Sequence, residues 1–111
     1  MERDFVEMLS ALDAAGAEYL VVGAHALAAH GVPRATGDLD IWVRATPENA
    51  RRVLAALREF GAPLFDLTAN DLSRPGTVFQ IGVVPVRIDL LTSISGVGFE
   101  EAWAGRVEVP I

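Results

Sequence analysis

The sequence contains neither cysteine nor lysine. Without thiols there is no disulfide framework and no thiolate metal site, which suits a reducing compartment and makes a cytoplasmic setting the expectation. Without lysine there is no ammonium group to clamp a phosphate or form a Schiff base, so basic chemistry falls to arginine and histidine. Positive charge is also scarce: nine arginines face fifteen acids, for a formal net charge of −6. This argues against a general-purpose nucleic-acid binder, whose affinity comes largely from neutralising phosphates. A nucleotide held through metal ions remains allowed, because the metal brings the positive charge. No apolar run approaches the ~20 residues of a membrane-spanning helix, and the start MERDFVEML lacks the basic and apolar regions of a signal peptide, so no membrane partner is expected.

What is present is a hydrophobic fraction of 51% in 111 residues, enough for one domain, 1–111, around one core. Phe5, Met8, Leu9 and Leu12 recur at helical spacing and predict an amphipathic helix ending near Gly16. Glu18–Val22 reads as a short strand, Ala24–His30 as a short helix, Val32–Gly37 as a loop broken by Pro33, and Asp38–Val43 as a strand. Thr46 before Pro47 is a helix start, with Ala50, Val53, Leu54 and Leu57 as the buried stripe and Gly61 as the stop. Thr68 with Asp71 marks a second start. Thr77–Val83 and Val86–Leu91 form a hairpin around Val84 and Pro85, followed by a helix over Val97–Ala104 and an extended tail over Arg106–Val109. The order predicts an α/β fold: a small mixed sheet with helices mainly on one face.

Chemistry concentrates in two acids one residue apart, Asp38 and Asp40, within TGDLDIWV. Side chains alternate along a strand, so both point to one face about 7 Å apart along the backbone. Two carboxylates aimed at one spot repel unless a proton, cation or substrate offsets them, and Mg²⁺ is commonly held by such carboxylates together with phosphates. Asp89 is a third acid, set among Ile88, Leu90 and Leu91 where a lone carboxylate needs a partner. If its strand lies beside that of Asp38 and Asp40, the three acids can hold two Mg²⁺ ions, the arrangement suited to in-line displacement at phosphorus. Gly23 between a strand and a helix allows a sharp turn and close ligand approach, and the helix N-terminus at Ala24 suits phosphate. Arg34 can add a donor fork to a phosphate oxygen.

Taken together, Gly23-Ala24 after a strand, the run Arg34-Ala35-Thr36-Gly37-Asp38-Leu39-Asp40, and Ile88-Asp89-Leu90 resemble the polymerase β-type nucleotidyltransferase superfamily, most nearly its small bacterial AbiEii-like and minimal members. The resemblance spans Ala17 to Trp103. It implies a nucleotidyltransferase-like core and transfer of a nucleoside monophosphate from an NTP to an acceptor such as tRNA, a protein side chain or a small molecule, in some cases in toxin–antitoxin or phage-defence systems. It further implies that Asp38, Asp40 and Asp89 are the catalytic, metal-binding residues, with Asp89 also helping to activate the acceptor. Gly23, Ala24, His25, Arg34 and Thr36 fall to the nucleotide. Two departures stand out: Ala24 replaces the second glycine or serine of many relatives, and the helices that usually follow the third acid are missing. The latter suggests a fragment or a very small member, whose uncovered sheet favours a homodimer or a partner chain.

Each residue also has a plainer reading. Asp38 and Asp40 could line an exposed edge strand, and Asp89 could pair with Arg87 on its own strand face. Arg34 could bridge to a neighbouring carboxylate. His25 could be a packed histidine and His30 a favourable charge at a helix C-terminus. Trp42 and Trp103 could stack on a base, though core packing is their ordinary role. Arg51, Arg52 and Arg58 read as a solvated helix face. Beside the enzyme stand two alternatives: a catalytically weak antitoxin that binds a helical toxin, and a metal-dependent phosphohydrolase using the same acids.

Overall fold

The computed structural model describes residues 3–22, 38–83 and 86–106. Helix α1, Arg3–Ala14, buries Met8, Leu9, Ala11 and Leu12 along one stripe, with Phe5 partly buried against the same core. Strand β1, Tyr19–Val22, follows. Strand β2, Leu39–Val43, is buried along its whole length. Helix α2, Pro47–Phe60, starts where the Thr46 side chain accepts a hydrogen bond from the Asn49 N–H, and it stops at Gly61, whose φ of 89° is the left-handed conformation of a helix C-cap. Helix α3 is the single turn Ala69–Leu72, held by a reciprocal capping box between Thr68 and Asp71. Strands β3, Val78–Val83, and β4, Val86–Leu91, pair antiparallel. Helix α4, Phe99–Ala104, closes the described chain. It begins two residues later than the expected Val97, which instead bridges to Ile94. The expected helix over 24–30 and loop over 32–37 lie outside the described residues, as do 107–109 of the expected tail.

The strands form one four-stranded sheet in the order β1-β2-β4-β3. β1 runs antiparallel to β2, β2 parallel to β4, and β4 antiparallel to β3. The sheet is therefore mixed, as the element order predicts. Alternation divides its two faces. Leu39, Ile41, Val43, Ile88 and Leu90 point into the main core, where α1, α2 and Leu72 of α3 cover them. The opposite face carries Trp42, Leu91 and the nearby Ile94, packed with Leu20, Val22, Phe99 and Ala102. Thus three helices cover one face, and α4 covers one end of the other.

Candidate active site

The register of β2 and β4 is the feature that builds the site. Asp40 and Asp89 are direct partners across the parallel pair, with Leu39 opposite Ile88 and Ile41 opposite Leu90. Parallel partners have their side chains on the same face, with strands about 4.8 Å apart. Asp38, two residues before Asp40, falls on that face as well. The apolar neighbours Leu39, Ile41, Ile88 and Leu90 are all drawn into the core on the other side. Their burial forces the acids outward, and a one-residue slip of either strand would bury the acids in the core instead. The placement of the three carboxylates thus follows from the hydrophobic pattern around them.

The acids face away from the main core yet are not wet. Asp38 is 5% exposed, Asp40 2% and Asp89 6%. Arg87, two residues before Asp89 and on the same face, reaches across to them. Its Nη2 lies 2.6 Å from Asp38 Oδ2, and its Nε lies 3.2 Å from Asp89 Oδ1. A further contact of 3.3 Å joins Arg87 Nη2 to Asp89 Oδ2. The plainer reading of Asp89, a pairing with Arg87, is therefore realised, and Asp38 joins the same fork. Asp38 Oδ1 is buried with no hydrogen-bond partner among the described residues.

The electrostatics follow from this crowding. Burial pushes the Asp89 carboxyl above its ordinary range. The charge of Arg87 pulls it back, Asp38 pushes it up again, and hydrogen bonds from Arg87 and with Asp40 draw it down. Among the described residues one guanidinium reaches these acids, and charge left over in so dry a space calls for other groups, protons or a cation to offset it.

The donor set fits a hard cation: carboxylate oxygens only, with both oxygens of Asp38 and Oδ1 of Asp89 buried without a hydrogen-bond partner among the described residues. As the side chains stand, no group of three or more His, Asp or Glu residues among those described is disposed to hold a metal ion. The guanidinium of Arg87 lies between Asp38 and Asp89. Of the residues expected to contact nucleotide, Gly23, Ala24, His25, Arg34 and Thr36 all lie outside the described residues. Trp42 shares the acids' face but is 4% exposed, packed edge-to-face against Phe99 with ring centroids 5.2 Å apart. Its role is core packing. Trp103 stacks on Phe99 on one side, at 5.6 Å, and carries the Arg106 guanidinium 3.8 Å from its centroid.

Two residues with structural weight are not evident from sequence motifs. Asn49 is buried, accepts from the Glu18 N–H at 2.7 Å, and donates to the Glu18 and Arg44 carbonyls. Arg44 pairs with Glu18 and Glu100 and lies over the Phe99 ring. The available signal for Asn49 was its position in the apolar stripe of α2, four residues before Val53 and eight before Leu57, where an amide calls for backbone partners.

No known protein family, no curated protein and no solved structure matches the chain. No helix among the described residues is long and apolar enough to cross a membrane.

Proposed function

We propose that this protein is a magnesium-dependent nucleotidyltransferase that moves a nucleoside monophosphate from an NTP to an acceptor, with release of pyrophosphate. The observation that supports this best is the β2–β4 register, which brings Asp40 beside Asp89 and keeps Asp38 on their face. It accords with the sequence resemblance, in which these three acids are the catalytic set. That resemblance extends the proposal to tRNA, protein or small-molecule acceptors, in a cytoplasmic toxin–antitoxin or phage-defence setting.

Asp38 and Asp40 offer oxygen ligands from one strand face, and Asp89 offers a third from the neighbouring strand. Magnesium, when bound there, supplies positive charge to the phosphates and favours the ionised form of an acceptor hydroxyl. Asp89 is the acid to which the resemblance gives the activation of the acceptor. Ile88 and Leu90, packed in the core on either side, fix the direction in which Asp89 projects. The purified chain, incubated with labelled NTPs, Mg²⁺ and a cell extract, should transfer label to an acceptor. Asp38→Asn and Asp40→Asn should each abolish the transfer. Label transfer that persists in both variants contradicts the assignment.

One observation favours a second reading, a non-catalytic binding module acting as the antitoxin of a helical toxin. Arg87 already pairs with Asp38 and Asp89, as a purely structural ion network would. On that reading the protein co-purifies with a stoichiometric partner and neutralises it equally well as Asp89→Asn.

A further inference from the structure

Arg87 is the one described cation placed among the three acids, and the geometry of its contacts has a consequence for any ion that enters. Its guanidinium reaches Asp38 Oδ2 with Nη2 and Asp89 Oδ1 with Nε, at 2.6 and 3.2 Å. These two are ion-pair contacts, one to Asp38 just before β2 and one to Asp89 on β4, and a hydrogen bond from Nη2 to Asp89 Oδ2 at 3.3 Å joins them. Arg87 thus occupies Asp38 Oδ2 and Asp89 Oδ1, and a magnesium ion, which takes carboxylate oxygens as ligands, would compete with the guanidinium wherever it used those two.

We propose that Arg87 is a built-in counter-ion of the site, which offsets the charge of Asp38 and Asp89 in the metal-free protein and competes with a divalent ion for their oxygens. The inference rests on reading the trio as a divalent-cation site.

Three further features fit a side chain that can leave. The Arg87 side chain is 23% exposed while that of Asp38 is fully buried. Its register partner on β3 is Gly82, which is exposed and adds no side chain beside it. Arg87 also lies near the hairpin end of β4, one residue from its start at Val86. Asp40 and Asp89 sit further along the two central strands, at buried positions. A displaced guanidinium keeps its charge and its donor fork, and it would remain beside the site, able to meet the phosphate oxygens of an incoming nucleotide. Arg87 thus offsets acid repulsion before the metal arrives and sets a threshold for metal entry.

The test is Mn²⁺ affinity, read from the electron paramagnetic resonance signal of free Mn²⁺ with the full chain. Arg87→Gln removes the competitor and should bind Mn²⁺ at least about tenfold more tightly than the wild type, the order expected when one charge-assisted hydrogen-bonded competitor is lost. Arg87→Lys keeps the charge but not the fork, and should fall between the two. In EDTA Arg87→Gln should melt below the wild type, and in saturating Mn²⁺ the difference should shrink or reverse. A structural role alone predicts the opposite sign: weaker Mn²⁺ binding and lower melting in both conditions. Equal or weaker binding by Arg87→Gln, with the wild type binding normally, overturns this inference while leaving the metal site intact. Failure of every variant and of the wild type to bind Mn²⁺ at millimolar concentration overturns the metal site itself. If Arg87→Gln does not fold, Arg87→Lys decides, and affinity equal to wild type overturns the inference.

Discussion

Asn49 shows how one polar side chain can hold three segments. Its amide satisfies both backbone groups of Glu18, before β1, and the carbonyl of Arg44, after β2. Asn49→Ala takes this partner from the Glu18 N–H and the Arg44 carbonyl, leaves the Glu18 carbonyl with the Arg44 N–H, and should destabilise the fold by about 1–3 kcal/mol. Urea unfolding monitored by circular dichroism measures this. Asn49→Asp is the sharper control, since an acid cannot donate to the Arg44 carbonyl while ionised.

Asp89 makes a different prediction at the same scale. Burial, joined by Asp38, lifts its carboxyl above the ordinary 3.8 despite Arg87 and Asp40. The folded protein therefore holds this proton more tightly than the unfolded chain does. That contribution to stability is complete below the ordinary value and is lost as pH rises through the raised one. In EDTA, the stability of the wild type should fall relative to Asp89→Asn as pH rises from about 4 toward neutrality. Parallel stability curves for the two proteins would show that the carboxyl is not shifted.

Among the elements, the two longest helices were legible because each carries its own signals. The stripe Phe5, Met8, Leu9, Leu12 and the stripe Ala50, Val53, Leu54, Leu57 are both turned into the core. Thr46 and Gly61 cap α2 as their residue types require. Hairpin β3–β4 was legible from its two β-rich runs, but its geometry depends on a residue whose role no local pattern reveals. Gly82 has φ of +78°, and a Cβ there would lie 2.6 Å from the Val86 carbonyl oxygen. Gly82→Ala should therefore distort the end of the hairpin that carries Arg87. The expected cost is on the order of 1–3 kcal/mol, seen as a lower melting temperature, because both strain and a backbone clash must be accommodated. Helix α4 was placed two residues early for a comparable reason. Val97 is spent on a bridge to Ile94 that only the folded chain makes.

At the scale of the whole molecule, the sheet separates packing from chemistry. One face is sealed by α1, α2 and α3 over Ile41, Leu57 and Leu90, all fully buried. The other face carries the acids. Leu57→Ala should remove about 2–5 kcal/mol of stability by leaving a cavity in the sealed face. Its effect on Mn²⁺ affinity should be small at temperatures where the variant is folded, since Leu57 and the acids lie on opposite sides of β2. Loss of affinity in step with loss of stability, measured in that folded range, would show that the two faces are coupled.

The ingredients of the acidic cluster were present in the sequence as spacing: two acids at i and i+2, a third flanked by apolar residues, and an arginine two residues before it. Spacing along one strand fixes which side chains share a face, because the pleat alternates with every residue. It cannot say which strands are neighbours or how they slide against each other. That was decided by tertiary structure, where the burial of Leu39, Ile41, Ile88 and Leu90 against the helices sets β2 beside β4 in the one register that aligns Asp40 with Asp89. The same packing brings Arg87 within reach of Asp38, a contact between strands that local sequence does not encode.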